Sequence, residues 1–419
     1  MGRSSPNDFI QTPDVRRAIK IANWVGERLR GWNLARVILS EERILQAARR
    51  QTSLDDLGDE RFRVPLCLLV DSYENDPELT TVGRLIARAL LVHHVANRLR
   101  IHHDLNRHPE ILAGEIRRPL FVVGLPRTGT TLLYNLLALD SSFRPLLFWE
   151  SMSPSPPPDS ETRHRDPRIA KAARTVAQLN RAVPTLRAIH EMNPRGPDEC
   201  LGLLLNTFVN PFFRGRLPGY RAWLYSIGED EVRAAYCEYR RQLLLLQWKC
   251  SAPHWLLKCP SHLFGLEALL AVLPDACVVQ THRDPIKAVP SLCSLTAALD
   301  GMSYKRVDMA EVGRRDVEIV EQLLDRGLNA CDAADHSRFL HVRFRDLLDN
   351  PWTTVRQIYD HFGYRLPVDM KDRVDGYLAA NPRYKHGQHR YRLEDFGLDR
   401  ESLGGRFAAY CSRFQIDPE

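Results

Sequence analysis

The sequence has no apolar run that approaches the roughly 18 residues of a membrane-spanning helix. Its first residues, Met-Gly-Arg-Ser-Ser-Pro-Asn-Asp, also lack the apolar core of a secretory signal. The nine cysteines are an odd number, and their spacings are not those of zinc ligands. We therefore expect no transmembrane segment, no metal and a cytoplasmic location. Four of the cysteines lie in apolar surroundings and are predicted to be buried thiols: Cys200, Cys259, Cys277 and Cys293.

Long stripes of positive charge are also missing. The 419 residues include 58 Lys and Arg and 52 Asp and Glu, which gives a formal net charge of +6. This mild excess suits a small polyanionic ligand, and we expect no nucleic-acid partner. Hydrophobic residues make up 44% of the chain, which is enough for one large α/β domain with appendages.

A strand, a glycine turn and a helix follow one another at residues 120–137. Leu120–Val123 is an apolar run typical of a buried parallel strand, and leucines recur on one helix face after the turn. The free amides at the start of such a helix and its positive end create an anion site. Gly129 permits close approach of the backbone, and Thr130 and Thr131 add hydroxyl donors.

The turn departs from the ordinary P-loop pattern at one position. Gly124 and Gly129 have the P-loop spacing, but Thr130 stands where the lysine is expected. That lysine normally reaches the β- and γ-phosphates of a nucleoside triphosphate. Arg127 supplies a cation inside the turn instead. The turn therefore favours a single 5′-phosphate-type group over a triphosphate.

A second region, at residues 255–291, predicts a β-α-β-α unit. Its elements are a strand at Trp255–Lys258, a helix at Phe264–Leu273, a strand at Ala276–Val279 and a helix capped by Asp284. Strands connected through helices pair in parallel with right-handed crossovers. We therefore predict an α/β, P-loop-like three-layer fold, in which helices flank a central parallel sheet and a helical segment precedes it.

Cations and a histidine follow the predicted strands, at Arg127, Lys258, His262 and Arg283. Ligands of parallel sheets bind beyond the carboxyl ends of the strands. These side chains should therefore meet at one edge and hold a ligand with several negative charges. One alternative is a P-loop kinase or nucleotide hydrolase, which needs the missing lysine and an aspartate for Mg²⁺.

Residues Leu125–Thr131 resemble the 5′-phosphosulfate loop of sulfotransferases that use 3′-phosphoadenosine 5′-phosphosulfate (PAPS), in particular the bacterial branch with Leu-Pro-Arg-x-Gly-Thr-Thr. Arg283 and Ser291 have the spacing of that family's 3′-phosphate site. Lys258 and His262 stand where the family keeps its catalytic lysine and base. The spacing here is Lys-x-x-x-His, whereas cytosolic members have Lys-x-His.

The resemblance implies transfer of a sulfuryl group from PAPS to a hydroxyl of a small-molecule, aromatic or lipid-like acceptor, with 3′,5′-adenosine bisphosphate (PAP) as product. Lys258 would stabilise the leaving group, and His262 would be the base, with Glu199 and His190 as other candidates. The implied donor-binding residues are Arg127, Thr128, Gly129, Thr130, Thr131, Arg283, Ser291, Phe344, Lys385 and Arg390.

Two domains are predicted. Residues 1–115 have helical periodicity and are expected to form a cap or an oligomer contact. In the second case the chain would form a homodimer. Residues 116–419 should form the α/β domain, with an acceptor-site insertion around 150–235. The aromatic residues at 199–248 suit either an apolar acceptor pocket or the ordinary core.

Overall fold

The computed structural model describes residues 13–31, 37–189, 192–382 and 392–418. Its strands are β1 (Leu120–Gly124), β2 (Phe143–Pro145), β3 (His254–Lys258), β4 (Cys277–His282) and β5 (Phe339–Arg343). They form one sheet in the order β2-β3-β1-β4-β5, and every neighbouring pair is parallel. The predicted α/β fold with a central parallel sheet is confirmed.

Helices surround this sheet. Before β1 lie α1 (Pro13–Gly31), α2 (Glu41–Thr52), α3 (Arg63–Glu74) and α4 (Thr81–Arg107). Between β1 and β3 lie α5 (Thr130–Leu137), α6 (Phe148–Met152), α7 (Pro167–Ala182), α8 (Leu186–Ile189), α9 (Leu201–Leu205), α10 (Pro218–Ser226) and α11 (Glu229–Gln247). After β3 come α12 (Leu266–Val272), α13 (Pro285–Asp300), α14 (Met309–Ala333), α15 (Phe344–Asp349), α16 (Pro351–Phe362), α17 (Met370–Ala380) and α18 (Arg400–Arg413).

Alternate residues of the central strand face two separate hydrophobic cores. Phe121 and Val123 belong to the larger core, together with buried residues of α2, α3, α4, α11 and α14. Leu120 and Val122 belong to the second core, with α5 and α16. The sheet is therefore the middle of three layers, and the N-terminal helices pack into the same core as one of its faces. The domain boundary near residue 115 stays a prediction.

The N-terminal helical segment follows the periodicity of its sequence. The apolar stretches at 64–73 and 85–99, which have helical spacing, lie within α3 and α4. In the described ranges, no helix combines the length and the apolar character needed to span a bilayer.

Aromatic rings and thiols fill the interior. Phe208, Tyr220 and Tyr239 are buried core residues, so for these rings the core interpretation of the aromatic stretch holds. All nine cysteines are unpaired. The four cysteines predicted to be buried are buried: Cys200, Cys259, Cys277 and Cys293.

The end of β4 differs from its prediction. The apolar run ends at Val279, but the strand continues to His282 because it pairs with β1 on one side and β5 on the other. Asp284 then caps α13, as predicted, by accepting the N–H of Ile286 at 2.9 Å. The extended strand brings Arg283 directly to the carboxyl edge of the sheet.

Glu150 joins β2 and α6 to the irregular segment that follows them. Its buried carboxylate accepts hydrogen bonds from Arg144 Nη2 at 3.0 Å and from Arg163 Nε at 2.9 Å. It also accepts the N–H of Leu147 at 3.1 Å. Because Arg144 is buried as well, the pair is shielded from water and depends on mutual neutralisation.

We predict that Glu150→Ala lowers the free energy of unfolding by about 3–5 kcal/mol, because it leaves the buried Arg144 without its carboxylate. Chemical denaturation measures this loss. Glu161→Ala, at an exposed position in the following segment, is the control and should change the free energy by less than about 0.5 kcal/mol. Equal effects of the two substitutions would contradict the assigned role of Glu150.

Candidate active site

The turn between β1 and α5 is shaped for an anion. Gly129 has a φ of +89°, and a Cβ there would lie 2.9 Å from the side chains of Phe344 and Leu347. Arg127 is exposed and also has a positive φ, of +70°, which is uncommon for a residue with a side chain. Thr130 begins α5, and among the described residues no side chain caps this helix. Its first amides can therefore donate to a bound anion.

Thr128 holds the turn in place from inside. Its Oγ1 donates to the carbonyl of Leu125 at 2.7 Å and lies 2.6 Å from Oγ1 of Thr281 on β4. Because the side chain is fully buried, its hydroxyl serves the turn itself. The role of Thr128 in donor binding stays a prediction. Thr130 is also buried, whereas Thr131 is exposed.

Lys258 ends β3 beside the start of α5. Its Nζ donates to Glu199 Oε1 at 2.6 Å and lies 3.5 Å from Thr131 Oγ1. Burial lowers the pKa of Lys258, but the charges of Glu199 and Asp198 more than offset this effect, so the pKa is raised above its ordinary value. The structure thus brings a charged lysine, a carboxylate and a hydroxyl of the turn together.

Backbone hydrogen bonds fix the segment that carries Glu199. The N–H of Cys200 donates to the carbonyl of Lys258 at 2.9 Å, and that of Asp198 donates to the carbonyl of Leu146 at 2.8 Å. The Glu199 side chain remains 18% exposed, whereas that of Lys258 is 3% exposed. Glu199 therefore borders the outside of the site and can meet a second substrate there.

A second carboxylate stands beside this pair. Desolvation by burial raises the pKa of Asp198 to about 7, although the charge of Lys258 opposes the shift and that of Glu199 adds to it. Two adjacent carboxylates thus differ in environment: Glu199 forms the direct ion pair, and Asp198 ionises less readily than an ordinary carboxyl group.

His262 lies inside the core. The 3₁₀ turn Pro260–Leu263 follows β3, and the imidazole is fully buried. Its Nδ1 is 3.0 Å from the hydroxyl of Tyr236, and its ring packs edge-on against Phe121 at 5.1 Å between centroids. Burial lowers its pKa to about 3. The imidazole is thus shielded from solvent, and the role of His262 as base stays a prediction.

The predicted 3′-phosphate site lies on the same edge of the sheet. Arg283 follows β4, and its Nη1 donates to the carbonyl of Arg127 at 3.0 Å. Its guanidinium lies 4.1 Å from the ring centroid of Phe344, the first residue of α15. Ser291 is buried two turns into α13. Arg283, Phe344 and the glycine turn are thus in direct contact.

Three of the predicted site residues lie outside the described residues: His190, Lys385 and Arg390.

Tyr410 is a supporting residue that the sequence did not reveal. Its hydroxyl lies 2.9 Å from Nδ1 of His282 and accepts the backbone N–H of Arg283. Phe414 stacks on His282 with the ring centroids 3.8 Å apart. Because 128 residues separate His282 from Tyr410, no local pattern could have connected them.

Comparison with known proteins decides the family. A model described as "Sulfotransferase family" matches residues 119–368, which contain the turn, Lys258 and Arg283. The chain belongs to the sulfotransferase family. The alternative prediction, a P-loop kinase or nucleotide hydrolase, is therefore wrong.

Solved structures agree with this assignment. Sulfotransferase STF9 from Mycobacterium avium is 31% identical, with a TM-score of 0.81, over 91% of this sulfotransferase and 98% of that chain. Sulfotransferase STF1 from Mycobacterium tuberculosis is 31% identical, with a TM-score of 0.79, over 90% of this chain and 100% of that one.

A curated relative has a more specific name. Omega-hydroxy-beta-dihydromenaquinone-9 sulfotransferase Stf3, in both Mycobacterium bovis and Mycobacterium tuberculosis, is 26% identical over 301 residues. The match covers 68% of this sulfotransferase and 73% of the relative.

We predict that Asp198→Asn stabilises the sulfotransferase more at about pH 8 than at about pH 5, by about 1–3 kcal/mol. The pKa of Asp198 is higher in the folded than in the unfolded chain, so its ionisation opposes folding increasingly as the pH rises towards about 7. Chemical denaturation at both pH values measures the difference. Asp230→Asn, at an exposed position, is the control, and a pH-independent effect of Asp198→Asn would contradict the prediction.

We also predict that Tyr410→Phe raises KM for the sulfuryl donor about 2–10-fold with little change in kcat, because the backbone of Arg283 loses one hydrogen bond. Steady-state kinetics separates the two constants. Tyr225→Phe removes a buried hydroxyl that has no hydrogen-bond partner in the described ranges, and it should leave both constants unchanged. A fall in kcat alone for Tyr410→Phe would contradict the positioning role.

Proposed function

We propose that this sulfotransferase transfers the sulfuryl group of PAPS to a hydroxyl of a lipid-like or other small-molecule acceptor. The observation that carries the proposal is the contact of Lys258 Nζ with Glu199 Oε1 at 2.6 Å, beside Thr131 at the start of α5. A cation at the anion-binding turn and a carboxylate on its outer side are the two groups that sulfuryl transfer needs.

The residues around the turn fit a nucleotide with phosphates at both ends. The first amides of α5 and the exposed Arg127 suit the 5′-phosphate. Arg283 suits the 3′-phosphate because a guanidinium is always charged and binds two oxygens at once. The hydrogen bond from Arg283 to the carbonyl of Arg127 supports binding of both ends by one ligand. Phe344 offers its ring to the adenine, and Ser291 completes the predicted 3′ site.

Lys258 stabilises the leaving group in this proposal. When bound, PAPS supplies the sulfuryl group, and PAP departs with the electron pair of the broken S–O bond. The Lys258 ammonium stabilises the negative charge that develops on the bridging oxygen. Its raised pKa keeps it protonated, and its burial strengthens the interaction because little water screens it. Thr131 can donate to the same group from the turn.

Glu199 is the base in this proposal. It is the more exposed partner of the Lys258 pair, so an acceptor hydroxyl can approach it. The carboxylate takes the proton of the hydroxyl as the acceptor oxygen forms its bond to sulfur. His262 has instead a structural role in the core, which agrees with its burial and its hydrogen bond to Tyr236.

The name of one relative supports the proposed acceptor class. Stf3 is named for a lipid quinone with an ω-hydroxyl, and its match covers 68% of this chain. This supports an acceptor with a hydroxyl on an apolar body. The nine unpaired cysteines support action in a reducing compartment such as the cytoplasm.

We predict that Glu199→Gln lowers kcat about 10²–10⁴-fold, because the amide cannot accept the proton. His262→Asn keeps a polar group near Tyr236 and should change kcat by less than about tenfold. Initial-rate measurements with PAPS and an aliphatic alcohol compare the two variants. Glu318→Gln, at an exposed position on α14, is the control for the substitution itself.

Thermal denaturation of each variant checks that it is folded. The opposite pattern, in which a folded Glu199→Gln stays active and a folded His262→Asn is inactive, would overturn the assignment of the base.

A further inference from the structure

The outward face of α1 exposes large apolar side chains. Ile21, Trp24 and Val25 are 61%, 57% and 40% exposed. Their spacing of three and four residues puts them on one side of the helix. Exposed side chains of this size on one helix face indicate a surface that meets an apolar partner.

The opposite face of α1 packs against the start of α4. Asn23 Oδ1 accepts the backbone N–H of Val82 at 3.0 Å, and Gly26 lies against Thr81. Both contacts are with the start of α4. The orientation of α1 is therefore set by packing, and the apolar residues are directed outwards as a consequence.

The apolar surface continues beyond α1. Leu85 and Ile86 follow Thr81 and Val82 by one helical turn of α4 and are 49% and 38% exposed. The chain before Ile38 contacts the same turn of α4, because Arg84 donates to the carbonyl of Val37, and Ile38 is 38% exposed. We call the following set the N-terminal patch: Ile21, Trp24, Val25, Ile38, Leu85 and Ile86. It contains six of the nine large apolar side chains that are exposed in the described part of the chain.

Positive charge accompanies the patch. Arg17, Lys20 and Arg28 are exposed on the same helix, and the Arg28 guanidinium lies 4.4 Å from the ring centroid of Trp24. Helices that lie in a membrane interface combine exposed apolar and aromatic residues with Lys and Arg. The basic groups can pair with anionic head groups while the apolar groups enter the acyl boundary.

We propose that the N-terminal patch binds the surface of an anionic lipid bilayer, with α1 lying parallel to it. Charge complementarity favours this occupant over a second copy of the chain, because two copies of the same face would bring like charges together. The benefit of membrane binding rests on the proposed function. An enzyme held at a bilayer meets a lipid-like acceptor where that acceptor is dissolved.

Vesicle co-sedimentation tests the proposal with the full chain. The vesicles are phosphatidylcholine alone or phosphatidylcholine with about a third phosphatidylglycerol. We expect binding to the anionic vesicles only, with a loss at high salt. The double substitution Ile21→Ser and Trp24→Ser should weaken binding at least about tenfold, because it removes the apolar contribution. Arg17→Gln with Lys20→Gln should weaken binding and its dependence on salt.

Val368→Ser is the matched control, because Val368 is a fully exposed apolar residue outside the patch. It should bind vesicles like the wild type. The proposal is overturned if the wild type does not bind anionic vesicles, or if the Ile21/Trp24 variant binds as well as the control. It is also overturned if sedimentation velocity shows that this variant converts a dimer into a monomer, since the face then joins two copies.

Activity on a short, water-soluble alcohol separates this proposal from the proposed function. The Ile21/Trp24 variant should keep that activity, because the patch lies outside the catalytic residues. If the wild type lacks all sulfuryl transfer, the proposed function fails, whereas the vesicle result still decides the role of the patch.

Discussion

The parallel register of β3, β1 and β4 is the constraint on which the site depends. β1 pairs with both neighbours, so that Val122 is level with Lys258 and Gly124 is level with Thr281. Three chain segments therefore leave the sheet at one edge, and the glycine turn, the buried lysine and Arg283 meet there. A slip of one residue would direct each of these side chains to the opposite face.

Electrostatic pairing makes this edge stable before any ligand binds. A buried ammonium is costly in free energy unless a carboxylate accompanies it, and Glu199 and Asp198 supply the compensating charge to Lys258. The same contacts hold the lysine at the start of α5, where positive charge from the helix end is also concentrated. In the proposed function, a polyanionic donor binds beside this cation, whose position is already set by its partners.

Local patterns predicted what depends on near neighbours in the sequence. The glycine turn, the end of β3 at Lys258 and the cap at Asp284 agree with the prediction because each is determined by a few adjacent residues. The end of β4 does not, because pairing with β1 and β5 extends that strand to His282. The choice between His262 and Glu199 as base depends on distant residues, because the position of the imidazole depends on Tyr236 in α11, and Glu199 reaches Lys258 from 59 residues away. The support from Tyr410 comes from still farther along the chain and carries no sequence signal.

The most direct test of the account is the binding of PAP compared with that of 5′-AMP and of ATP with Mg²⁺, measured by calorimetry on the wild type and on Arg283→Ala. The account predicts that the wild type prefers PAP to 5′-AMP about 10–100-fold, since one charged contact is worth roughly 1.5–3 kcal/mol. It also predicts that Arg283→Ala removes most of this preference. Equal affinity for PAP and 5′-AMP, or tighter binding of ATP with Mg²⁺, would contradict the claim that the glycine turn and Arg283 hold one doubly phosphorylated nucleotide.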